Sequence, residues 1–280
     1  MTKVTKLGYL GPKGTFTEIA AAEYNGVVTE YVPYCDIKVL VKAVVEEKID
    51  KAVVPIENSL QGAVTLTLDL LLKYELKIFD EVIIPITHSL LVNSQVKDLN
   101  ELKHIVSHPQ ALAQCRAFID NDLDCKVHTA ESTAEAIKKV SEAGREWGAI
   151  GNYHAADYYE LAVLKNNIQD NEENWTRFVI LAKEDSAPTA QDKTSIICSP
   201  KDDHPGALYE ILQEFAARKI NLTRIESRPA RKMIGDYIFF IDFEGHREDE
   251  IVYAALENVK EVVAWMKLLG SYPQAEIQSN

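Results

Sequence analysis

Residues 6–55, KLGYLGPKGTFTEIAAAEYNGVVTEYVPYCDIKVLVKAVVEEKIDKAVVP, decide the fold. Lys6–Leu10 reads as a strand, Gly11–Gly14 as a turn, 16–24 as a helix and 28–33 as a second strand. Asp36 suits the cap of a helix through Glu47, with Val39, Leu40, Ala43 and Val44 on one face, and 51–55 reads as a third strand. Alternation of this kind implies a mainly parallel sheet covered by helices.

A second series follows. Residues 82–86, 89–93, 104–107, 125–129, 148–151 and 176–182 read as strands. Pro109 suits the first turn of a helix, Ser132 to Glu135 form a capping box opening a helix to Ala143, and a further helix is expected over 155–161. Two successive α/β sets predict two lobes with a cleft between them, and ligands sit beyond the carboxyl ends of such strands. The polar stretch EDSAPTAQDK from Glu184 to Lys193 reads as a linker, giving domains of 1–184 and 194–280 joined by 185–193. In the tail, strands at 194–199, 222–228, 236–243 and 262–269 and helices at 206–219 and 248–259 follow the order βαββαβ, the split ferredoxin-like arrangement.

The 280 residues carry 30 Lys and Arg against 43 Asp and Glu, a formal net charge of −13. That balance argues against bulk binding to nucleic acid or to an anionic membrane surface. Cys35, Cys115, Cys125 and Cys198 contain no CxxC pair, which speaks for reduced thiols rather than a zinc or redox site. No apolar run approaches the ~20 residues of a membrane span, so a cytoplasmic protein is expected. Gly11–Gly14 lacks the spacing of a phosphate-binding loop, and His104 and His108 are not part of an HExxH pair.

Four clusters remain at strand ends: GPKGTFT at 11–17, PIENSLQG at 55–62, SHPQALAQ at 107–114 and NWTRF at 174–178. Each joins hydroxyl or amide side chains to a turn or a helix start, and Gln110 and Gln114 are i, i+4 neighbours. Together they predict a cleft dense in neutral hydrogen-bonding groups plus one arginine, suited to a small carboxylate. A plain solute-binding module fits the same pattern.

With PGAL at 205–208 and ESRP at 226–229, these motifs run in register along nearly the whole chain, and the sequence resembles prephenate dehydratases carrying a C-terminal ACT regulatory domain. The resemblance implies a two-lobed, type II periplasmic-binding-protein-like catalytic domain and an α+β ferredoxin-like ACT domain. It implies conversion of prephenate to phenylpyruvate, carbon dioxide and water, without metal or organic cofactor, under feedback inhibition by L-phenylalanine. Thr176 falls on the family's essential threonine, and Asn58, Ser107 and Gln114 on substrate-orienting positions. Glu57 is the candidate acid if one is needed; Thr15, Ser59, Arg177 and Phe178 are candidate substrate contacts. Gly206, Ala207, Leu208, Asn221, Leu222, Glu226, Ser227, Arg228 and Pro229 are the candidate L-phenylalanine contacts. Tyr209 departs from the small aliphatic residue often found after GAL, which bears on effector affinity. ACT domains usually pair, so a homodimer or homotetramer through the ACT and catalytic domains is implied. Arogenate dehydratase, acting on the aminated substrate, and a non-enzymatic amino-acid sensor are the alternatives.

Overall fold

The computed structural model describes residues 5–202, 204–229 and 237–276. The chain opens with β1 (Lys6–Leu10), α1 (Phe16–Glu23), β2 (Glu30–Tyr34), α2 (Ile37–Val45), β3 (Lys51–Asn58), β4 (Gly62–Ala63), α3 (Thr65–Lys73) and β5 (Lys77–Pro85). It continues with β6 (Ser89–Asn93), β7 (His104–Ser107), α4 (Pro109–Gln114), α5 (Arg116–Asp122), β8 (Lys126–Thr129), α6 (Thr133–Ser141), β9 (Trp147–Gly151), α7 (Ala155–Tyr158) and β10 (Leu161–Lys165). After β11 (Trp175–Ala182) come β12 (Asp192–Pro200), α8 (Ala207–Ala216), β13 (Leu222–Pro229), β14 (Tyr237–Glu244), α9 (Glu250–Val262) and β15 (Val263–Pro273).

Capping fixes several helix starts where the sequence places them. Asp36 accepts from the amides of Lys38 and Val39, and Ser132 accepts from Glu135 N. Thr15 caps α1 by accepting from Glu18 N.

Two sheets before the polar stretch have the same plan. The first runs β2-β1-β3-β11-β5 and the second β8-β7-β9-β6-β10. In each, three strands are parallel, and the strand arriving from the other lobe is inserted antiparallel in fourth position: β11 in the first, β6 in the second. This is the type II periplasmic-binding-protein-like arrangement. It corrects the expectation of a mainly parallel sheet, because each lobe borrows a strand of opposite direction. It also moves 82–86 and 176–182 from the second set to the first lobe.

Other differences are local. The helix expected over 155–161 stops at Tyr158; Glu160 has φ 53°, and the chain then enters β10. Helices α3 and α5 were not anticipated. Strand β12 starts at Asp192, inside the stretch read as linker, and the expected strand start at Asp236 lies outside the described residues.

The third sheet, β13-β14-β12-β15, has two buried faces. One packs Ile196, Ile241 and Phe243 against Phe215 of α8 and Val252 and Leu256 of α9. The other packs Ile197, Phe240 and Tyr272 against Leu40, Leu71 and Ile78 of the first lobe. Here β15 approaches β5 so closely that a Cβ on Gly270 (φ 146°) would lie 2.3 Å from the carbonyl oxygen of Ile78.

Candidate functional site

Two crossing segments join the lobes: 86–88, leading from β5 to β6, and 166–174, leading from β10 to β11. They are tied together by Ile86 N donating to Asn174 O (2.7 Å), Ile168 N to His88 O (2.9 Å) and His88 N to Gln169 Oε1 (3.0 Å). All four sequence clusters touch this hinge.

Thr176 stands at the start of β11, almost buried, opposite Asn58 of β3. Asn58 Nδ2 donates to Thr176 Oγ1 (2.9 Å), to Asn174 Oδ1 (2.8 Å) and to Trp175 O (3.1 Å), while its Oδ1 accepts from the amides of Leu60 and Gln61. The carboxamide therefore fixes both the threonine and the 59–61 turn. Ser59 Oγ accepts from Trp175 N (2.9 Å) and donates to Glu173 O (3.2 Å), pinning the same two strands.

On the second-lobe side, His88 Nε2–H donates to Gln114 Oε1 (2.8 Å), and Asp170 N donates to Gln114 O (2.7 Å). The His88 ring also meets Phe16 edge-on at 5.8 Å between centroids, so it touches both lobes. Burial lowers the pKa of His88 below the usual histidine range, and the Gln114 hydrogen bond only partly offsets this. Ser107 Oγ, fully buried, donates to Ile150 O (2.5 Å) and braces β7 against β9.

The glycine turn closes against the second lobe. Asn152 Nδ2 donates to Gly14 O, and Tyr159 Oη donates to Lys13 O (3.2 Å). A Cβ on Gly14 (φ 85°) would lie 2.8 Å from Ala155 Cβ, so only glycine lets turn and helix meet. The Thr15 hydroxyl is committed to Leu10 O (2.8 Å) and to the α1 cap. It shapes the turn rather than offering a free substrate contact.

Three expected site residues are elsewhere. The β3–β11 register pairs Arg177 with Glu57 but Phe178 with Pro55, skipping Ile56. This bulge puts Glu57 on the same face as Ile56 and brings Asn58 beside Thr176. Glu57 turns to Arg224 of β13 (3.3 Å) and Arg177 (3.8 Å), away from the threonine, which corrects its reading as the site's acid. Arg177 points to that same opposite face. It donates to Glu81 Oε2 (2.6 Å), Asp242 Oδ2 (2.6 Å) and Tyr272 Oη (2.8 Å), so its fork is fully engaged and is not a substrate clamp. Phe178 shares the Thr176 face but is buried among Leu7, Tyr9, Ala20 and Ile180 as first-lobe core. The sequence reading missed His88, Asn152, Glu81 and Asp242; the one available signal was a lone histidine between two apolar strands. Among the described residues, no group of three or more His, Cys, Asp or Glu could hold a metal ion, and no helix is long and apolar enough to cross a membrane.

The family model for prephenate dehydratase matches residues 7–186, and that for the ACT domain matches 197–261. The chain belongs to the prephenate dehydratase family. It is 43% identical over 276 residues to a prephenate dehydratase of Methanocaldococcus jannaschii, covering 95% of this chain and 97% of that one. It is 44% identical over 279 residues to a bifunctional chorismate mutase/prephenate dehydratase of Aquifex aeolicus, covering 99% of this chain and 76% of that one. A crystal structure of prephenate dehydratase from Arthrobacter aurescens in complex with L-Phe superposes with a TM-score of 0.87 at 37% identity, covering 96% of this chain and 90% of that one.

In this family member the ACT-domain candidates divide between the two faces of the third sheet. Gly206, in left-handed conformation (φ 103°), precedes α8 with open space around it; Ala207 is buried and Leu208 leans on the α8–α9 core. Asn221 Nδ2 donates to Glu244 Oε1 (2.9 Å), and Leu222 leans on that same core. Ser227 and Pro229 are exposed. Arg228 donates to Asp69 Oδ1 (2.7 Å) and Thr65 O (3.1 Å) of α3, and Glu226 lies 3.9 Å from Arg224. Glu226 and Arg228 thus share the face that covers the first lobe. Within one chain, Arg228 is a domain-to-domain contact.

Proposed function

We propose that this chain is a prephenate dehydratase inhibited by L-phenylalanine, with a catalytic domain of 1–184, a linker from 185 and an ACT domain whose sheet begins with β12 at Asp192. The observation that carries the reading is the Asn58–Thr176 hydrogen bond at the hinge, on the strand bearing the NWTRF motif.

The reaction needs little chemistry from the protein. The bond between the ring and its carboxylate breaks, and its electron pair enters the ring as the last double bond of the aromatic system. The C–O bond to the ring hydroxyl breaks, and the departing oxygen takes a proton to leave as water. Because Thr176 Oγ1 accepts from Asn58, its own hydrogen is free to point at the leaving oxygen. Thr176 polarises or protonates the leaving group; Asn58 orients it; Gln114, held by His88, orients the substrate from the second lobe. With Glu57 turned to the ACT domain, no carboxylic acid from β3 serves this step. The reaction calls for no cofactor.

L-Phenylalanine acts from the ACT domain, in keeping with the L-Phe complex of the Arthrobacter relative. The ACT sheet leaves β13 at its edge, with Ile225 44% exposed, which supports pairing with a second copy into a homodimer or homotetramer. The protein works in the cytoplasm.

The test is incubation with prephenate at neutral pH, with and without L-phenylalanine, reading phenylpyruvate against an enzyme-free control. Rapid formation suppressed by L-phenylalanine is expected. No rate above the control overturns the assignment; turnover of arogenate in its place would reassign the substrate, and turnover of neither would leave a sensor.

A further inference from the structure

Thr176 and Arg177 are consecutive residues of β11 whose side chains leave the strand on opposite faces. Behind Thr176, Arg177 enters a buried cluster shared by the first lobe and the ACT sheet. Its Nε donates to Glu81 of β5, and its Nη1 to Asp242 of β14. Its Nη2 donates to Tyr272 of β15, whose hydroxyl also shares a hydrogen bond of 2.5 Å with Ser195 of β12. Lys193 Nζ donates to the other oxygen of Glu81 (2.7 Å), and Arg224 pairs with Glu57 (3.3 Å). Arg177, Lys193 and Arg224 thus face Glu81, Asp242 and Glu57, three charges of each sign; all but Glu57 have side chains less than a tenth exposed.

A pair buried this deeply is held to one geometry, because any shift that breaks a contact strands a charge away from water. The guanidinium fork adds direction: three donors point to three different elements, two of them in the ACT sheet. All four strands of that sheet contribute a member: Lys193 and Ser195 from β12, Arg224 from β13, Asp242 from β14 and Tyr272 from β15. The bulge at Ile56, beside Arg177, is where the strand pairing is least regular.

From this geometry we infer that Arg177, held by Asp242 and Tyr272, is a positioning residue that joins the ACT domain to Thr176, so that a shift of the ACT sheet is delivered to the threonine through one peptide unit. The inference rests on the proposed function for what the shift does to the rate. It goes beyond that reading in naming the joint.

The test uses the full chain carrying Trp147→Phe and Trp265→Phe, which leaves Trp175, next to Thr176, as the only tryptophan. Asp242→Asn and Tyr272→Phe are each introduced into it. L-Phenylalanine binding is measured by calorimetry, Trp175 emission and prephenate turnover with and without L-phenylalanine. In the parent, L-phenylalanine changes Trp175 emission. In the variants it still binds, but its effect on emission and on kcat shrinks by about threefold or more, with KM little moved, a size usual for one residue of a coupling network. If Asp242→Asn does not fold, Tyr272→Phe alone decides, since it removes one hydroxyl and no charge. Unchanged responses in the folded variants overturn the inference, as does a parent whose Trp175 is silent to L-phenylalanine. A parent that responds in emission yet does not turn over prephenate, with the response weakened in the variants, supports the joint and places the failure in the assigned reaction.

Discussion

Asn58 Nδ2 lies 2.9 Å from Thr176 Oγ1 across the β3–β11 pair, and it is the threonine that accepts. The hydroxyl hydrogen is thereby left for a partner outside the protein. Thr176→Ala removes that donor and is expected to lower kcat about 10²–10³-fold, the usual cost of losing one preorganised donor, with KM little changed. Thr176→Ser keeps the hydroxyl and recovers most of the loss. Steady-state kinetics on prephenate checks both.

Asn58 does structural work as well. Its carboxamide serves Thr176, Asn174, Trp175, Leu60 and Gln61. Asn58→Ala leaves several of these buried groups unpaired and is expected to lower stability by about 1–3 kcal/mol as well as kcat. Asn58→Asp keeps the acceptors for the turn but cannot donate to Thr176. It should therefore be closer to wild type in thermal midpoint than Asn58→Ala while remaining as slow; thermal unfolding alongside turnover separates the two roles.

Glu81 is fully buried between Arg177 and Lys193, and it also accepts from Ala275 N (3.0 Å). Glu81→Ala strands Lys193 and leaves Arg177 Nε without an acceptor, although Arg177 keeps Asp242, and is expected to lower unfolding free energy by ~3–5 kcal/mol. Chemical denaturation reads this. A change below about 1 kcal/mol would show that the cluster relaxes or admits water.

Asp80, the neighbour of Glu81, gives the opposite sign. Burial pushes its carboxyl up to about 6, although it accepts from Glu81 N and lies near Lys51. An unfolded chain releases this proton near pH ~4. Below that the group is neutral in both states and costs nothing; between about 4 and 6 the folded chain holds a proton the unfolded one has lost, so this contribution to stability falls as pH rises. Above about 6 the full cost of a buried charge is present. Asp80→Asn keeps an acceptor for Glu81 N and is expected to be more stable than wild type by ~1–3 kcal/mol at pH 7.5, the advantage vanishing toward pH 4. Denaturation midpoints at the two pH values test the window.

Much of this molecule was legible in the chain. Alternating strand and helix patterns gave the two lobes; Asp36 and Ser132 marked helix starts that their caps realise. The change of pattern beyond the polar stretch near 184–193 gave the βαββαβ tail. Residues 82–86 and 176–182 were legible as strands but not as members of the first lobe, because hydrophobic pattern reports burial and not the neighbour that supplies it. Helix α3 was hidden for a related reason: TLTLDLLLK alternates at its start as a strand would, and only its packing against β3 and α2 selects the helix.

The candidate site divides the same way. Local chemistry marked Thr176, Asn58 and Gln114 as hydrogen-bonding side chains at strand ends, and the structure brings Asn58 to Thr176 and Gln114 to the hinge. Neighbouring Glu57 and Arg177 carried equal promise in sequence, since a motif does not state which side of a strand each residue faces. A single bulge at Ile56 exchanged the faces of Glu57 and Asn58, and the strand's alternation sent Arg177 to the ACT sheet. The sequence by itself determined most of the elements, α3 and α5 apart, and which side chains can hydrogen-bond, because these follow from nearest-neighbour sterics and polarity. The tertiary structure alone decided which of those side chains share a face and which buried charges find partners, because β register and charge desolvation depend on strands and domains far apart in the chain.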